Sequence, residues 1–245
     1  MQASLCLDYF VEESLDFIRD NEPPEGYFVG FSGGKDSIVT LDLCRKAGVK
    51  YEAYTGITGI DPPGVIRFIR GNYPEVKFIK PKINFYAAIQ KNGPPRPTIR
   101  WCCRLLKERP SYSNPLTYRL MGIRKEESVR RASRPRINKI GKNTVLKPIF
   151  NWPEWAVWEY IDREKLPYPE LYDKGDKRLG CIFCPMIFGK SQAKTVRVER
   201  SMNAYPGQWR AFKNAVEKWW NSRPAETKDP TFAEYWDKYI HGVIR

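Results

Sequence analysis

The sequence predicts an α/β fold in which helices lie on both faces of an open, mainly parallel sheet, followed by a smaller helical part. Three observations indicate this. Short apolar runs alternate with amphipathic stretches through residue 150, a glycine-rich loop separates the first run from a helix, and the pattern is helical from about residue 190. Strands that alternate with helices are typical of parallel sheets. We expect a main domain over 1–190 and a C-terminal helical cap over 191–245.

The first βαβ unit is the clearest part of this pattern. YFVGF at residues 27–31 is a short aromatic and β-branched run after the turn PPEG, and it predicts a buried strand. An amphipathic helix follows, with Gly48 as its predicted C-terminal stop. Residues 50–58 predict the second strand. The glycine-rich loop therefore lies at a strand-to-helix turn.

The loop SGGKDS at residues 32–37 has the residue types of an anion site. Backbone N–H groups and the positive end of a helix dipole attract phosphate at such a turn, and its glycines permit close approach. The alternative is an ordinary polar turn in which Asp36 or Ser32 caps the helix. The loop is not a Walker A motif, because residues required before Gly-Lys-Ser/Thr are missing. The candidate phosphate-binding residues are Ser32, Gly33, Gly34, Lys35, Asp36 and Ser37.

Lysine and arginine outnumber aspartate and glutamate by 42 to 28, a net charge of +14. This excess favours a polyanionic partner, nucleic acid before membrane. Basic residues concentrate in residues 119–147, where a solvated face or phosphate contacts would explain them. Aromatic residues near the C-terminus either pack helices or stack on bases. No apolar stretch approaches about 18 residues and the N-terminus lacks a basic leader, so we expect a cytoplasmic protein.

Four of the six cysteines form two pairs, Cys102-Cys103 and Cys181-x-x-Cys184. In a reducing compartment, clustered cysteines are more often metal ligands than disulfides. Four thiolates suit zinc or an iron–sulfur cluster. The adjacent pair favours the cluster, because neighbouring side chains rarely reach two corners of a compact tetrahedral zinc site. Burial as small apolar side chains is the remaining alternative.

The loop resembles the Ser-Gly-Gly-x-Asp-Ser loop of the PP-loop ATP pyrophosphatases, which cleave ATP between its α and β phosphates to adenylate a substrate. The resemblance implies the adenine nucleotide alpha hydrolase-like fold, with ATP and Mg²⁺ as cofactors. It also implies catalytic roles for Lys35, Asp36 and Ser37. Asp36 is the candidate direct or water-mediated ligand of Mg²⁺.

The cysteine pattern is similar to that of the adenylylsulfate (APS) reductase branch of the sulfonucleotide reductases. TGIDPPGV at residues 58–65 resembles that family's Thr-Gly-x-x-Phe-Pro-Glu stretch, and MGIRKEESVRRA at residues 121–132 resembles its Gly-x-Arg-x-x-Glu-Ser-x-x-Arg element. The resemblance implies nucleotide contacts for Thr58, Gly59, Arg124 and Arg131. It implies a [4Fe–4S] cluster on Cys102, Cys103, Cys181 and Cys184.

The chain departs from the reductases at two places. Residues 61–63 are Asp-Pro-Pro, and no cysteine follows Cys184, whereas the reductases carry a catalytic cysteine in a C-terminal Glu-Cys-Gly-Leu-His motif. We therefore expect sulfur chemistry without that nucleophile. The combination resembles the DndC and SspD type of ATP pyrophosphatases, which act in phosphorothioate modification of DNA. It implies DNA as the acceptor, a cysteine desulfurase as sulfur donor, and other modification-complex subunits as partners.

Three other functions are compatible with the same residues. One is a divergent APS or PAPS reductase whose nucleophile is relocated or supplied by a partner. Another is a tRNA thiolation enzyme, which also needs adenylation, sulfur and a basic surface. The third is a redox-sensing cluster protein that binds nucleotide without turnover. Fold alone does not distinguish among them.

Overall fold

The computed structural model describes residues 2–227 and 229–244, with residues 2–5 and 227 described by their backbone alone. Contacts divide the chain into two compact units, each assembled from three stretches. The first unit comprises Met1–Gly56, Pro63–Ile79 and Tyr112–Leu179. The second comprises Ile57–Pro62, Lys80–Ser111 and Gly180–Arg245. These units are defined by contacts, and the domain boundary expected from the sequence at residue 190 stays a prediction.

The first unit contains a six-stranded sheet. Its strands are β1 Tyr27–Gly30, β2 Tyr51–Gly56, β3 Lys77–Ile79, β4 Tyr118–Met121, β5 Ile137–Ile140 and β6 Asn143–Leu146. They lie in the order β3-β2-β1-β4-β6-β5. Neighbouring strands are parallel except for β5, which runs antiparallel to β6 at one edge. The predicted open, mainly parallel sheet is confirmed.

Helices flank the sheet in the first unit and make up most of the second. In chain order they are α1 Gln2–Asp20, α2 Lys35–Ala47, α3 Pro63–Asn72, α4 Phe85–Asn92, α5 Trp101–Cys103, α6 Arg109–Tyr112, α7 Val129–Ala132, α8 Glu154–Arg163, α9 Gln192–Ala204, α10 Pro206–Asn221 and α11 Phe232–Ile240. The helices α9, α10 and α11 confirm the helical part predicted beyond residue 190. Among the described residues, no helix is both long enough and apolar enough to span a bilayer.

The core of the first unit follows the period-two alternation of β1. Tyr27 and Val29 point into a cluster that includes apolar residues of α1, α2 and α8. Phe28 points to the opposite face, where its ring stacks on Tyr54 with a centroid distance of 4.8 Å. The fully buried Trp152 lies in this cluster, and its Nε1 donates to the Ser14 hydroxyl at 2.9 Å. The indole is thus buried with its one donor satisfied.

Helix α2 begins and ends at glycines. Gly34 is its N-cap residue, and because glycine has no side chain it forms no side-chain capping hydrogen bond. Gly48 adopts the left-handed conformation at φ 73°, and its N–H donates to the Arg45 carbonyl. The C-terminal stop predicted at Gly48 is therefore confirmed, for the reason that only glycine adopts this conformation without strain.

The second unit is built around aromatic rings. Phe183 stacks on Phe212 with a centroid distance of 4.6 Å, and Trp209 donates from Nε1 to the Ser201 hydroxyl at 3.0 Å. The C-terminal aromatic residues either lie in this cluster or pack against it: Tyr205, Trp209, Trp219, Trp220, Tyr235 and Trp236. Their role in helix packing, one of the two alternatives drawn from the sequence, is confirmed.

Candidate functional site

The glycine-rich loop lies where the strand order of the sheet reverses. The chain runs from β1 outward through β2 and β3, then returns to β4 on the other side of β1. Gly30 at the end of β1 is level with Met121 at the end of β4. In open α/β sheets this switch point forms a crevice at the carboxyl ends of the strands, where ligands bind. The loop and the segment after β4 meet at this crevice.

Two glycines permit the tight path of the chain here. Gly33 has φ +74°, and a Cβ there would lie 3.1 Å from the side chains of Ile69 and Val65. At Gly122, just after β4, a Cβ would lie 2.5 Å from the Asp36 carbonyl oxygen. A side chain at Gly122 would therefore force the two segments apart. The start of α2 and the segment after β4 approach each other backbone to backbone.

The two serines of the loop brace it from within. The Ser37 hydroxyl accepts from the Ser32 N–H at 3.1 Å and donates to the Gly34 carbonyl at 2.8 Å. The Ser32 hydroxyl accepts from the Gly34 N–H at 3.4 Å. Both hydroxyls thus form hydrogen bonds within the loop. Their contacts with phosphate remain a prediction from the sequence.

Lys35 places a buried ammonium group at the loop. The residue is 4% exposed. Its Nζ lies 3.2 Å from a Glu154 carboxylate oxygen, donates to the Lys177 carbonyl at 3.1 Å, and lies 3.8 Å from Asp36. The aromatic ring of Tyr172 lies 5.5 Å from Nζ. These contacts hold the charge in one position, since a lysine so enclosed has few other rotamers.

Asp36 is held by an arginine from the segment after β4. Arg124, 3% exposed, donates from Nε to Asp36 Oδ1 at 2.5 Å and from Nη1 to Glu126 at 2.6 Å. Arg131 pairs with Glu127. Burial, and then repulsion from neighbouring Arg178, lowers the pKa of Arg131. Arg124, Arg131 and Arg178 therefore lie near the loop, and the first two are paired with acidic side chains.

Tyr172, from the stretch after α8, closes the loop on another side. Its hydroxyl accepts from the Lys35 N–H at 3.0 Å, and burial raises its pKa to about 12. The contact satisfies one of the first N–H groups of α2, which have no partner within the helix. A Cβ at Gly34 would lie 3.2 Å from this hydroxyl. The loop is thus braced from outside as well as from within.

The four paired cysteines all lie in the second unit. Cys102 and Cys103 occupy α5, which continues into a π-helical turn at Arg104–Glu108, a distortion frequent at functional sites. Cys181 and Cys184 form a turn closed by the Cys184 N–H donating to the Cys181 carbonyl at 3.2 Å. All four belong to or pack against the aromatic cluster of this unit.

The thiols influence one another electrostatically. A hydrogen bond with Cys102, helped by Lys107 and Arg100, lowers the pKa of Cys103 to about 6. The same hydrogen bond, together with burial and the nearby Cys103 and Cys181 thiolates, raises the pKa of Cys102. Burial raises the pKa of Cys181, and Lys107 opposes that shift. Cys103 and Cys181 are thus close enough to Lys107 and to Cys102 for their charges to interact.

Asp61 connects this group of side chains to the turn after β2. One carboxylate oxygen accepts from the Thr58 N–H at 2.9 Å and from its hydroxyl at 2.7 Å. The other lies 3.6 Å from Lys107 Nζ and 3.9 Å from Cys181 Sγ. The Ile182 N–H also donates to the Ile60 carbonyl at 2.9 Å. The Thr58 turn is therefore fastened to the Cys181 turn.

Zinc and an iron–sulfur cluster require different arrangements of their cysteine ligands. Zinc requires its ligands around one point at about 2.3 Å, whereas a four-iron cluster spreads four thiolates over separate irons. No group of three histidine, cysteine, aspartate or glutamate residues surrounds a single point in the part of the chain that the structure describes. Cys102 interacts with Cys103 and Cys181 beside Lys107, and Cys184 interacts with Cys181. Four thiols are the donors that an iron–sulfur cluster uses, and their binding of one stays a prediction.

Comparison with known proteins identifies the family. Residues 26–187 match the sequence profile of the phosphoadenosine phosphosulfate reductase domain. The chain belongs to the phosphoadenosine phosphosulfate reductase domain family. The matched region includes the loop, both arginines and all four paired cysteines.

Two relatives show how far this family membership extends. An uncharacterized protein of Methanocaldococcus jannaschii is 30% identical over 232 residues, which cover 87% of this chain and 46% of that protein. The chain thus spans less than half of that relative. The adenosine 5'-phosphosulfate reductase of Oceanobacillus iheyensis is 34% identical over 194 residues, covering 73% of this chain and 75% of that enzyme.

Solved structures agree on the fold. The phosphoadenylyl-sulfate reductase of Candida auris, a phosphate complex, superposes with a TM-score of 0.58 at 20% identity, covering 73% of this chain and 95% of that one. The FMN adenylyltransferase of Candida glabrata, with FAD and pyrophosphate, gives 0.52 at 13% identity, covering 71% and 62%. The PP-loop type of α/β fold expected from the sequence is confirmed.

Within this family fold, the predicted site residues fall into two groups. The loop residues, Arg124 and Arg131 come together in the first unit. Thr58, Gly59 and the four cysteines lie in the second unit. Their roles in binding nucleotide and metal stay predictions.

The structure adds residues that sequence reasoning did not single out. They are Asp61, Glu126, Glu154, Tyr172 and Lys177, whereas Lys107 is expected from the sequence as a basic neighbour of the cysteines. A signal existed for Asp61, because it stands where the chain departs from the Thr-Gly-x-x-Phe-Pro-Glu pattern. Glu126 lies within the element at residues 121–132, whereas Glu154, Tyr172 and Lys177 come from distant stretches of chain that no local pattern marks.

Proposed function

We propose that the first unit binds ATP at residues 32–37 and cleaves it between the α and β phosphates, adenylating an acceptor for sulfur transfer. The observation that carries this proposal is the buried, fixed ammonium of Lys35 at the switch point, beside the start of α2. A positioned cation and helix amides stabilise negative charge as it develops on departing pyrophosphate. Arg124 and Arg131 add positive charge at the same place.

Asp36 is assigned to the metal. Mg²⁺ is usually bound by one or two carboxylates together with substrate phosphates, so a complete protein cage is not needed. Asp36 keeps 19% of its side chain exposed; its Oδ1 accepts from Arg124, and its Oδ2 lies 3.8 Å from Lys35 Nζ. It would hold Mg²⁺ while Arg124 fixes its orientation. Bound Mg²⁺ would neutralise charge on the phosphates.

The chemistry requires two displacements at phosphorus. An acceptor oxygen attacks the α-phosphorus of ATP, the α–β P–O bond breaks, and pyrophosphate leaves with the electron pair. Hydrosulfide, or a persulfide followed by reduction with a thiol, then attacks the activated acceptor, and AMP leaves with the original oxygen. The donor is at the sulfide oxidation level, so the hydrosulfide route needs no further electrons.

DNA is the acceptor in this proposal, and phosphorothioate the product. A net charge of +14 favours a polyanionic acceptor. A cysteine desulfurase would supply the sulfur, and other subunits of a modification complex are expected partners. Cys102, Cys103, Cys181 and Cys184 would hold a [4Fe–4S] cluster in the second unit. Such a cluster supplies electron transfer or structural cross-linking when bound.

A second candidate is sulfonucleotide reduction. The observation that favours it is the 34% identity to the Oceanobacillus iheyensis adenosine 5'-phosphosulfate reductase over most of both chains. The same loop would then bind a nucleotide substrate rather than ATP. The candidate predicts sulfite release from APS or PAPS in the presence of a dithiol reductant.

The test is product analysis of α-labelled ATP with anaerobically prepared protein, with and without duplex DNA and sodium sulfide. We expect AMP and pyrophosphate, and phosphorothioate-linked dinucleotides in nuclease digests of the DNA. Lys35→Ala and Asp36→Ala should lower the rate by about 100-fold or more, the range for removing a group that stabilises transition-state charge. The exposed Lys82→Ala is the matched control and should react normally.

Three outcomes would contradict the proposal. Intact ATP under every condition, with sulfite released from APS or PAPS, would establish the second candidate. ATP cleavage that requires tRNA and is indifferent to DNA would assign a different acceptor. ATP binding without any turnover would indicate a nucleotide-sensing protein.

A further inference from the structure

A continuous stretch of the first unit carries positive charge without negative charge. The segment SVRRASRPRINKIGK at residues 128–142, here called the basic edge, contains six lysine or arginine residues and no aspartate or glutamate. Within it only Arg131, Arg136 and Asn138 are partly buried, and the other residues are exposed. Even an apolar residue, Val129, leaves 88% of its surface exposed. The basic edge is therefore a projecting surface.

The basic edge follows the outermost strand of the sheet. Strand β5 is at the end of the strand order, so its outer side pairs with no strand among the described residues. Ile137 pairs with Leu146 at the carboxyl ends of the parallel strands, which is the end of the sheet where the phosphate-binding loop lies. Ile140 pairs with Asn143 at the other end of these strands. Four residues at about 3.3 Å each make this path roughly 13 Å long.

Two of its arginines have structural partners, and four cations do not. Arg131 pairs with Glu127, and Arg136 pairs with Glu13. The remaining cations form no ion pair with any other residue that the structure describes: Arg130, Arg134, Lys139 and Lys142. Charges on an edge strand also discourage pairing between sheets, which would explain lysines there without any ligand. The length of the basic edge and its direction toward the phosphate-binding loop favour a role in phosphate binding as well.

One end of the basic edge reaches the phosphate-binding loop. Arg131 pairs with Glu127, which also accepts from the Arg124 N–H at 3.2 Å, and the Arg124 side chain donates to Asp36 at 2.5 Å. A chain of phosphates lying along β5 would thus extend from the loop to the far edge of the sheet. A path of this length can contact successive phosphates of one DNA strand, which carry one negative charge each.

We propose that the basic edge binds the phosphate backbone of duplex DNA and leads one phosphodiester to the loop at residues 32–37. This inference rests on the proposed function, since it names where the acceptor of that reaction binds. A small sulfonucleotide would have no use for the surface, because its phosphates would end at the loop.

The test compares two variants of equal charge change. In one, Arg130, Arg134, Lys139 and Lys142 are all changed to Gln; in the control, the exposed Lys190, Arg197, Arg210 and Lys218 of the second unit are changed to Gln. Binding of a labelled duplex is measured by fluorescence anisotropy at several salt concentrations without nucleotide. Each lost phosphate contact lowers the slope of log K against log salt by about 0.9.

We expect the basic-edge variant to bind at least about tenfold more weakly, with a slope reduced by about 3 to 4, while the control stays near the parent protein. Equal losses in both variants would overturn the proposal, because they would show a general charge effect. So would weakened binding of tRNA with unchanged binding of duplex DNA. Pyrophosphate release from ATP by the parent protein at saturating duplex DNA is measured separately, so failure of the adenylation chemistry is recognised independently of DNA binding. Circular dichroism checks that both variants fold.

Discussion

Asp61 stands at a position where the chain departs from the reductase pattern, and its contacts explain why an acid is accommodated there. One oxygen is saturated by the Thr58 N–H and hydroxyl, which fixes the carboxylate. The other faces Lys107 and Cys181 at 3.6 and 3.9 Å. The side chain is only 14% exposed, so its charge is poorly screened. Asp61 and Lys107 form an opposed pair beside the thiols.

Neutralising Asp61 and neutralising Lys107 should shift the reduction potential of a reconstituted cluster in opposite directions. Asp61→Asn removes a negative charge and keeps an acceptor for Thr58, so the potential should rise. Lys107→Gln removes a positive charge, and the potential should fall, because local charge tunes such clusters. Anaerobic redox titration followed by visible absorbance measures both. Shifts of the same sign would show that the two residues act through packing instead.

At the scale of elements, the contact between α2 and the segment after β4 depends on the missing side chain of Gly122. The nearest atoms to an added Cβ are the Asp36 carbonyl oxygen and carbon, at 2.5 and 2.6 Å. Both are backbone atoms, which cannot swing aside as a side chain can. The phosphate-binding loop is consequently sensitive to a residue outside it.

Gly122→Ala should therefore destabilise the fold by about 2 to 3 kcal/mol, the upper part of the range for overpacking. The matched control is Gly71→Ala, in α3, where an added Cβ meets nothing within 4 Å. That change should stabilise slightly, by about 0.5 to 1 kcal/mol, because alanine favours a helix. Urea unfolding measures both. Equal stabilities for the two variants would mean that α2 moves freely relative to β4.

Much of the sheet was predictable because its signals are local. The strand at residues 27–31, the loop and the stop at Gly48 each show in a few adjacent residues, and β1 and α2 appear at those places. The second strand is shorter than predicted, ending at Gly56 rather than residue 58. Tertiary packing decides such ends, since residues 57–62 pack with the second unit.

The residues that contact the loop were not predictable from a local pattern, because they lie far from it in the sequence and meet it only in the folded chain. Tyr172 meets the Lys35 N–H across 137 residues, and Arg124 meets Asp36 across 88. A helix N-cap by Asp36 or Ser32, the ordinary alternative for the loop, is wrong: Gly34 occupies the cap. Asp36 instead turns to Arg124, an outcome that depends on two distant segments meeting.

For the whole molecule, all four paired cysteines lie in the second unit, so removal of the proposed cluster is expected to be a local event. Chelation from reconstituted protein should increase amide hydrogen exchange at residues 101–112 and 180–188, where the thiols lie among aromatic rings. Amides of β1 and β4 should keep their protection, since the sheet belongs to the first unit. Hydrogen-exchange mass spectrometry measures this. Exchange that rises equally throughout the sheet would contradict it.

The threaded arrangement of the two units has a consequence for how the protein is made. The second unit draws on residues 57–62, 80–111 and 180–244, with parts of the first unit between them. No single cut of the chain can separate the units, so truncation cannot yield either one intact. During synthesis, 77 residues separate Cys103 from Cys181, so Cys102 and Cys103 emerge from the ribosome well before the second pair. The proposed cluster could therefore gain all four of its ligands only late in translation.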